Sequence, residues 1–265
     1  MNAHVASLLE LAGWSAELPA WLQPYRAEIQ SLVSRATPES SVAQTLNAAL
    51  ANQAPVALNA GPLQFVPQQA LPEGEAYEAF IARTACVPTR DNLHDLFNGL
   101  VWLKFPLLKR RLNESQAQQL AQQGVQSTRG AVRDALTLFD ENAAVLQAPE
   151  VICQALRDRD WHALFVTRRD AWADASLTLI GHALMEKLTQ PRKAITAHVW
   201  LIPQHCDLQA HLLEVLTPKL LASKPHWPLP VLGVPGWWAA NEEADFYGDE
   251  QVFRRLGNRP PIRSP

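Results

Sequence analysis

Four polar side chains in one short segment have residue types and spacing that suit acid–base or metal chemistry. Asp91, His94, Asp95 and Asn98 fall in one narrow stripe if the segment is a helix turning about 100° per residue. A histidine beside carboxylates can act as a general base or bind a metal ion, with the carboxylates as ligands or orienting groups. Asn98 suits a positioning donor, and Arg90 suits a contact to an anionic ligand near the helix start.

The same stripe also has a structural interpretation. A solvated helix face is usually built from Lys, Glu, Gln and Arg, which are better helix formers than Asp, Asn and His. The composition of the stripe therefore needs a reason other than solvation. Either catalysis or a network of caps and buried hydrogen bonds would supply one.

A second candidate pair consists of His182 and Glu186, which are four residues apart and follow a glycine. This spacing places both side chains on one helix face, as two metal ligands or an acid–base pair require. The isolated pattern H-x-x-x-E is less specific than H-E-x-x-H. Together with His94, however, the pair would give three ligands from two helices, and we therefore predict a divalent metal ion held by His94, His182 and Glu186.

Two helices are predicted to position these groups. Thr89 or Asp91 is expected to cap the helix that carries the first stripe, and Phe105–Pro106 is expected to end it. A polar helix over 114–123, ending at Gly124, is expected to follow. The second pair is predicted on a helix that comes directly after a buried strand at 177–181.

The strongest strand signal lies in the sequence A-L-T-L-F-D-E-N-A-A-V-L. It predicts a hairpin with strands at 135–139 and 143–146, joined by a turn at 140–142. The segment 194–202 also favours a strand. The tail from Pro225 has too many prolines and glycines to predict regular structure, but its apolar residues predict that it packs across the domain.

Apolar residues near the N-terminus recur every three or four positions, which predicts helices, with Ser40 or Ser41 capping the third of them. A proline-rich connector follows, with one short strand at 63–66. We therefore expect a helical N-terminal layer and connector at 1–72 and a main domain at 73–265, packed as one unit. The predicted fold class is α+β, predominantly helical, with a small sheet that is at least partly antiparallel.

Composition restricts the partners of the chain. Its 265 residues carry a net charge of −3, so no overall positive field favours nucleic acid or an anionic membrane. The sequence contains no apolar stretch of the ~18 residues that a membrane helix needs. The three cysteines are widely separated, which favours reduced thiols in a cytoplasmic protein.

Four sequence motifs together resemble a family of bacterial proteins, the domain of unknown function numbered 3025. The motifs are V-P-T-R-D-N-L-H-D-L-F-N-G-L-V-W-L-K-F-P, D-A-L-T-L-F-D-E-N, G-H-A-L-M-E-K-L and L-P-V-L-G-V-P-G-W-W-A-A-N. The resemblance covers most of the chain. It implies a bacterial, cytoplasmic protein with one integrated domain, but it supplies no activity and no catalytic residue.

Two functional hypotheses follow from the residues. The first is an acid–base or metal-assisted hydrolase that acts on a small anionic substrate, which can contain phosphate. The second is a non-catalytic binding or scaffold protein in which the same polar residues form a buried structural network. Proximity of the two histidine motifs in space would favour the first, because shared metal ligands must lie about 2 Å from the ion.

Overall fold

The computed structural model of the protein describes residues 5–11, 14, 17–123 and 130–256. The fold is α+β and mostly helical, as predicted. The α-helices are α1 Val5–Leu11, α2 Arg26–Val33, α3 Val42–Leu50, α4 Tyr77–Thr84, α5 Leu93–Lys104, α6 Pro106–Gln123, α7 Ala131–Asn142, α8 Glu150–Asp158, α9 His182–Lys187, α10 Leu208–Val215 and α11 Pro218–Ala222. The strands are β1 Ala57–Leu58, β2 Gly61–Pro62, β3 Gln64–Pro67, β4 Cys86–Thr89, β5 Ala143–Gln147, β6 Ser176–Leu179, β7 Thr196–Ile202 and β8 Trp227–Pro230.

The main sheet has four strands in the order β6-β5-β7-β8. Strand β5 is antiparallel to β6 and parallel to β7, and β8 is antiparallel to β7, so the predicted partly antiparallel sheet is confirmed. The residues of β5 from Ala143 to Leu146 are all buried. A central strand with both faces covered is expected to be apolar throughout rather than alternating.

A second small sheet joins the two parts of the chain that the sequence separates at residue 72. Strand β3 lies parallel to β4, with Phe65 opposite Val87. One continuous core of buried side chains extends from Leu8 to Phe253. No helix among the residues that the structure describes is long and apolar enough to cross a membrane.

Helix α5 carries the first polar stripe, as predicted, but its cap is Asn92 rather than Thr89 or Asp91. The Asn92 side chain accepts a hydrogen bond from the backbone N–H of Asp95 at 2.8 Å. The helix then packs closely on α3, because Gly99 leaves no side chain against Leu46, where a Cβ would lie 2.3 Å from a methyl carbon. Its buried apolar face fixes which way the polar stripe points.

Helix α6 begins at Pro106, eight residues earlier than the predicted start at 114. The chain does break at Phe105, but proline is well tolerated at the first position of a helix, where its missing N–H has no partner to lose. The earlier start places Lys109 on a helix that packs against α5. The predicted end at Gly124 lies outside the described residues.

The predicted hairpin at 135–146 is wrong in its first half. Residues 131–142 form helix α7, and only the returning strand exists, as β5. The residues buried along α7 are Ala135, Leu136 and Phe139, which follow helical rather than alternating spacing. The acidic residues predicted in a turn therefore sit at the C-terminal end of a helix.

Gly181 brings the C-terminal end of α7 against the start of α9. A Cβ on Gly181 would lie 2.5 Å from the backbone N and Cα of Asn142 and from the carbonyl oxygen of Glu141. The Gly181 N–H also donates to the carbonyl of Ala143 at 2.8 Å. This backbone-to-backbone contact places His182, the first residue of α9, beside the last turn of α7.

After α8 the chain forms a π-helical turn at Ala163–Thr167 and a 3-10 helix at Arg169–Asp174. The described part of the tail, where no regular structure was predicted, forms the strand β8 followed by short 3-10 helices at Val231–Gly233, Ala239–Glu242 and Ala244–Gly248. The prolines of β8 are tolerated because it is an edge strand, where a missing N–H has no partner to lose. As expected, the tail packs on the domain, with Phe253 buried among aromatic rings.

Candidate functional site

Two histidines from different helices meet at the centre of the candidate site. The rings of His94 on α5 and His182 on α9 are 4.5 Å apart and nearly perpendicular, and their Nε2 atoms are 3.1 Å apart. His182 is buried, whereas His94 is partly exposed. The structure thus brings together the two histidine motifs, which are 88 residues apart in the sequence.

Glu141, at the end of α7, supplies a third group. Its Oε2 lies 3.5 Å from His182 Nε2. One ligand atom each from His94, Glu141 and His182 can be chosen so that all three lie within 4.8 Å of one another. Two imidazoles and one carboxylate form a ligand set found in catalytic zinc sites that keep a fourth position open.

The carboxylate of Glu186 fixes the protonation of His94. Glu186 Oε2 lies 2.9 Å from His94 Nδ1. Because a carboxylate only accepts hydrogen bonds, Nδ1 carries the proton and the lone pair of a neutral ring is on Nε2, which faces His182. Glu186, predicted as a ligand, therefore lies on the opposite side of the ring from the converging nitrogens, where an orienting partner of a metal-binding histidine belongs.

His182 is held in the neutral form. Burial lowers the pKa of His182 to about 4, although Asp140 acts in the opposite direction. Its Nδ1 is buried and 4.0 Å from Asp140 Oδ2, with no hydrogen-bond partner among the described residues. When a cation is bound at Nε2, the ring proton must be on Nδ1, on the side that faces Asp140.

Two of the three distances within the cluster match the edges of a metal coordination shell. Four ligands at 2.0–2.1 Å around zinc lie about 3.3 Å from one another in a tetrahedron. The observed separations are 3.1 Å between the two Nε2 atoms and 3.5 Å between His182 Nε2 and Glu141 Oε2. In the metal-free protein this Nε2–Nε2 separation is that of an N–H···N hydrogen bond, and it also allows both nitrogens to bind one divalent cation.

A buried network of hydrogen bonds lies next to the cluster and meets it at Asp140. Lys109 Nζ donates to Asp140 Oδ1 at 2.5 Å and to Asn98 Oδ1 at 2.8 Å, and Asn98 Nδ2 donates to the Tyr77 hydroxyl at 3.1 Å. Burial would raise the pKa of Asp140, but Lys109 and His182 outweigh it and hold that pKa below its usual value. Asp140 is therefore a charged neighbour of His182 at neutral pH.

Arg90 and Asp95 form a second pair at the rim. The Arg90 side chain donates to Asp95 from Nε at 3.1 Å and from Nη2 at 2.9 Å, and its backbone N–H donates to Asp95 Oδ2 at 2.6 Å. Asp95 is buried, whereas Arg90 is more than half exposed. The pairing fixes one edge of the guanidinium and leaves Nη1 without a partner among the described residues.

Most of these groups line one cleft of about 350 Å³, but Lys109 and Glu186 are not part of its lining. Four carboxylates line it. Asp95 is paired with Arg90 and Asp140 with Lys109, so Glu78 and Glu141 are the carboxylates of the lining that have no Lys or Arg partner among the described residues. Burial, together with the charge of Asp140, raises the pKa of Glu141. An excess of acidic groups favours a cation in the cleft, and an anion would bind more readily once that cation is present.

Asp91 takes no part in the cleft. Its Oδ1 accepts a hydrogen bond from the backbone N–H of Val42 at 2.8 Å, at the start of α3. Helix α3 is capped by Ser41, as predicted, in a reciprocal arrangement with Gln44. Asp91 thus joins two helices, a role of the kind that the structural interpretation of the stripe assigned to it.

The sequence interpretation missed Asp140, Glu141, Lys109 and Tyr77 as site residues. For two of them a signal existed, because acidic side chains at the C-terminal end of a helix oppose its dipole and need another reason to be there. Reading Asp140 and Glu141 as turn residues concealed that signal. Lys109 and Tyr77 carry no local signal, because their role depends on how α4 and α6 pack beside α5.

The fold and the site together define an α+β protein with a two-histidine, one-glutamate cluster in an acidic cleft. The chain belongs to the family described as protein of unknown function DUF3025, whose model matches residues 63–257. All the residues of the cluster and of its supporting network fall within this range. No curated protein and no solved structure matches the chain.

Proposed function

We propose that this protein is a metal-dependent hydrolase. In this proposal His94 Nε2, His182 Nε2 and a Glu141 oxygen bind a divalent cation, and Glu186 orients His94. The observation that carries the proposal is the convergence of the two Nε2 atoms, 3.1 Å apart, beside the Glu141 carboxylate. The zinc-like ligand set and the acidic cleft favour a cation at this point.

The residues in and around the cleft indicate which reaction and which substrate the site would favour. A divalent cation bound there would supply a water molecule of lowered pKa or polarise a substrate oxygen. Arg90, anchored by Asp95, presents its free Nη1 to a negatively charged substrate. Lys109 and Asn98 bond to each other and to their neighbours, so we assign them to positioning rather than to proton transfer. The proposed substrate is therefore a small anionic ester or phosphoester.

The proposal can be tested by zinc titration of protein purified without a histidine tag and stripped with chelator. We expect one zinc per chain by calorimetry. The variants His94→Ala, His182→Ala and Glu141→Gln should each weaken binding by more than about 100-fold, beyond the 10–100-fold loss typical when an outer-shell partner is removed. A matched control is His226→Ala, because His226 also forms a perpendicular histidine pair with rings 4.5 Å apart, next to His198.

Activity is then measured on 4-nitrophenyl phosphate and bis(4-nitrophenyl) phosphate, which are both anionic. Hydrolysis that requires zinc and disappears in His94→Ala and His182→Ala supports the proposal, whereas His226→Ala should remain active. Absence of zinc binding by the parent protein, or zinc affinity unchanged in all three cluster variants, contradicts the metal site.

A second candidate function is a non-catalytic binding or scaffold protein. The observation that favours it is the engagement of the polar stripe in structural bonds: Asp91 with Val42, and Asp95 with Arg90. On this alternative, His94→Ala and His182→Ala lower the free energy of unfolding without affecting any metal or activity. Zinc binding without hydrolysis of either substrate would also favour a binding role over an enzyme.

A further inference from the structure

Tyr77 is the one phenol in the cleft, and nothing in the proposed metal site uses it. It is the first residue of α4 and lines the cleft together with His94, Asp95 and Asn98. The residue as a whole is partly exposed, and it forms part of the cleft wall.

The direction of each hydrogen bond around Tyr77 follows from chemistry. The Lys109 ammonium can only donate, so the Asn98 atom that it contacts at 2.8 Å is the carbonyl oxygen. The Asn98 amide nitrogen must then face Tyr77, and it donates to the phenol oxygen at 3.1 Å. The phenol oxygen is thus an acceptor in this chain of bonds, and its own O–H remains free to donate.

The hydroxyls of the other two tyrosines of the chain, unlike that of Tyr77, donate to backbone carbonyls. The Tyr25 hydroxyl donates to the carbonyl of Leu179 at 2.5 Å, and the Tyr247 hydroxyl donates to the carbonyl of Gly233 at 2.9 Å. Both use their proton to hold the fold together. Among the residues that the structure describes, the Tyr77 hydroxyl has no acceptor.

The environment keeps the Tyr77 proton in place. Burial raises the pKa of Tyr77 well above its ordinary value, and the negative charges of Asp95 and Asp140 raise it further. A phenol of this kind is a poor proton-transfer acid but stays a hydrogen-bond donor at every physiological pH. Such fixed donors are what an enzyme directs at an oxygen that carries negative charge in the transition state.

We propose that the Tyr77 hydroxyl is a substrate-binding donor, which hydrogen-bonds an oxyanion of the ligand in the cleft. This inference rests on the metal-dependent hydrolase proposed above and specifies its substrate as one with an anionic oxygen near the metal. Asn98 and Lys109 act as positioning residues, because they fix which way the hydroxyl points. The oxyanion that Tyr77 would bind belongs to a phosphate or a carboxylate group, since both present a negatively charged oxygen.

The test uses zinc-loaded protein freed of excess metal, titrated separately with inorganic phosphate and with acetate. Tyr77→Phe removes one hydroxyl and keeps the ring. We expect it to weaken binding of at least one of the two probes by about tenfold or more, as loss of a hydrogen bond to a charged group does. Zinc affinity should change by less than about threefold. Tyr247→Phe is the matched control and should leave zinc and probe binding unchanged.

The titrations test the Tyr77 inference and the proposed metal site separately. Selective weakening in Tyr77→Phe supports the inference, and the probe affected shows whether the cleft prefers phosphate or carboxylate. Equal affinities of Tyr77→Phe and the parent protein for both probes overturn the Tyr77 inference and leave the metal site standing. Zinc binding by the parent protein without binding of either probe also overturns it. No zinc binding by the parent protein overturns the proposed function, and with it the inference that depends on it.

Discussion

Replacing Gly181 with alanine should separate α7 and α9, two of the three helices that form the metal cluster. The new Cβ would lie 2.5 Å from the backbone of Asn142 and from the carbonyl oxygen of Glu141, whereas ordinary contacts of a Cβ are at least 3.4 Å. The obstacle is backbone on the opposing segment, so no flexible side chain can turn away. The start of α9 and the end of α7 must move apart by about 0.9 Å to restore ordinary contact.

The size of this movement determines the effect on metal binding. Ligand atoms of one zinc ion cannot lie more than about 4.2 Å apart, twice a bond of 2.0–2.1 Å. His182 Nε2 and Glu141 Oε2 are 3.5 Å apart. A further separation of about 0.9 Å between the segments that carry them would exceed that limit. The steric strain itself should lower the free energy of unfolding by about 1–3 kcal/mol.

Two measurements check the Gly181→Ala prediction. Urea unfolding gives the loss of stability, and zinc titration should show at least a tenfold loss of affinity. Gly248→Ala is a matched control, since a Cβ on Gly248 meets nothing within 4 Å, and it should change stability by no more than about 0.5 kcal/mol. Zinc affinity of Gly181→Ala equal to that of the parent protein would refute the placement of His182 beside Glu141.

Two further predictions concern protonation in the cluster. Glu186→Gln should weaken zinc binding by about 10–100-fold while the fold is retained, because the amide holds the proton on His94 Nδ1 less strongly than the carboxylate does. Calorimetry measures the zinc affinity of this variant. An affinity equal to that of the parent protein would show that Glu186 does not support the site. In metal-free protein, burial lowers the pKa of His182 to about 4, below its unfolded value near 6.5. The unfolded state therefore takes up the proton first, and stability is lost as the pH falls from about 6.5 towards 4. His182→Gln should reduce the loss between pH 7.5 and 4.5 by on the order of 2 kcal/mol, as measured by urea unfolding at both pH values, with His198 present in both proteins. Parallel pH profiles for the two proteins would contradict a neutral buried His182.

The parts of the fold that local patterns define could be predicted from the sequence. The helix from Leu93 and the helix from His182 follow from apolar periodicity and their stop signals, and β7 follows from its β-branched residues. The hairpin prediction failed because Leu136 and Leu138 alternate over a short stretch that helical spacing also fits. The helical spacing becomes clear only when Ala135 and Phe139 are known to share the buried face.

Only some residues of the candidate site could be predicted from the sequence, because the others depend on how the helices pack. His94 is recognisable because it stands in a polar stripe, and His182 because it lies four residues before Glu186. Their approach to 3.1 Å depends on the packing of α9 against α5, which no local pattern contains. Glu141 joins them because Gly181 lets two backbones touch, and a single glycine in a sequence does not reveal what it lies against.

The metal site is tested most directly by a crystal structure of the zinc-loaded protein with anomalous diffraction at the zinc edge. We predict one anomalous peak in the cleft, about 2.0–2.2 Å from His94 Nε2, His182 Nε2 and one Glu141 oxygen, with Glu186 still bonded to His94 Nδ1. A zinc peak bound elsewhere, for example between His198 and His226, with the cleft empty, would contradict the account.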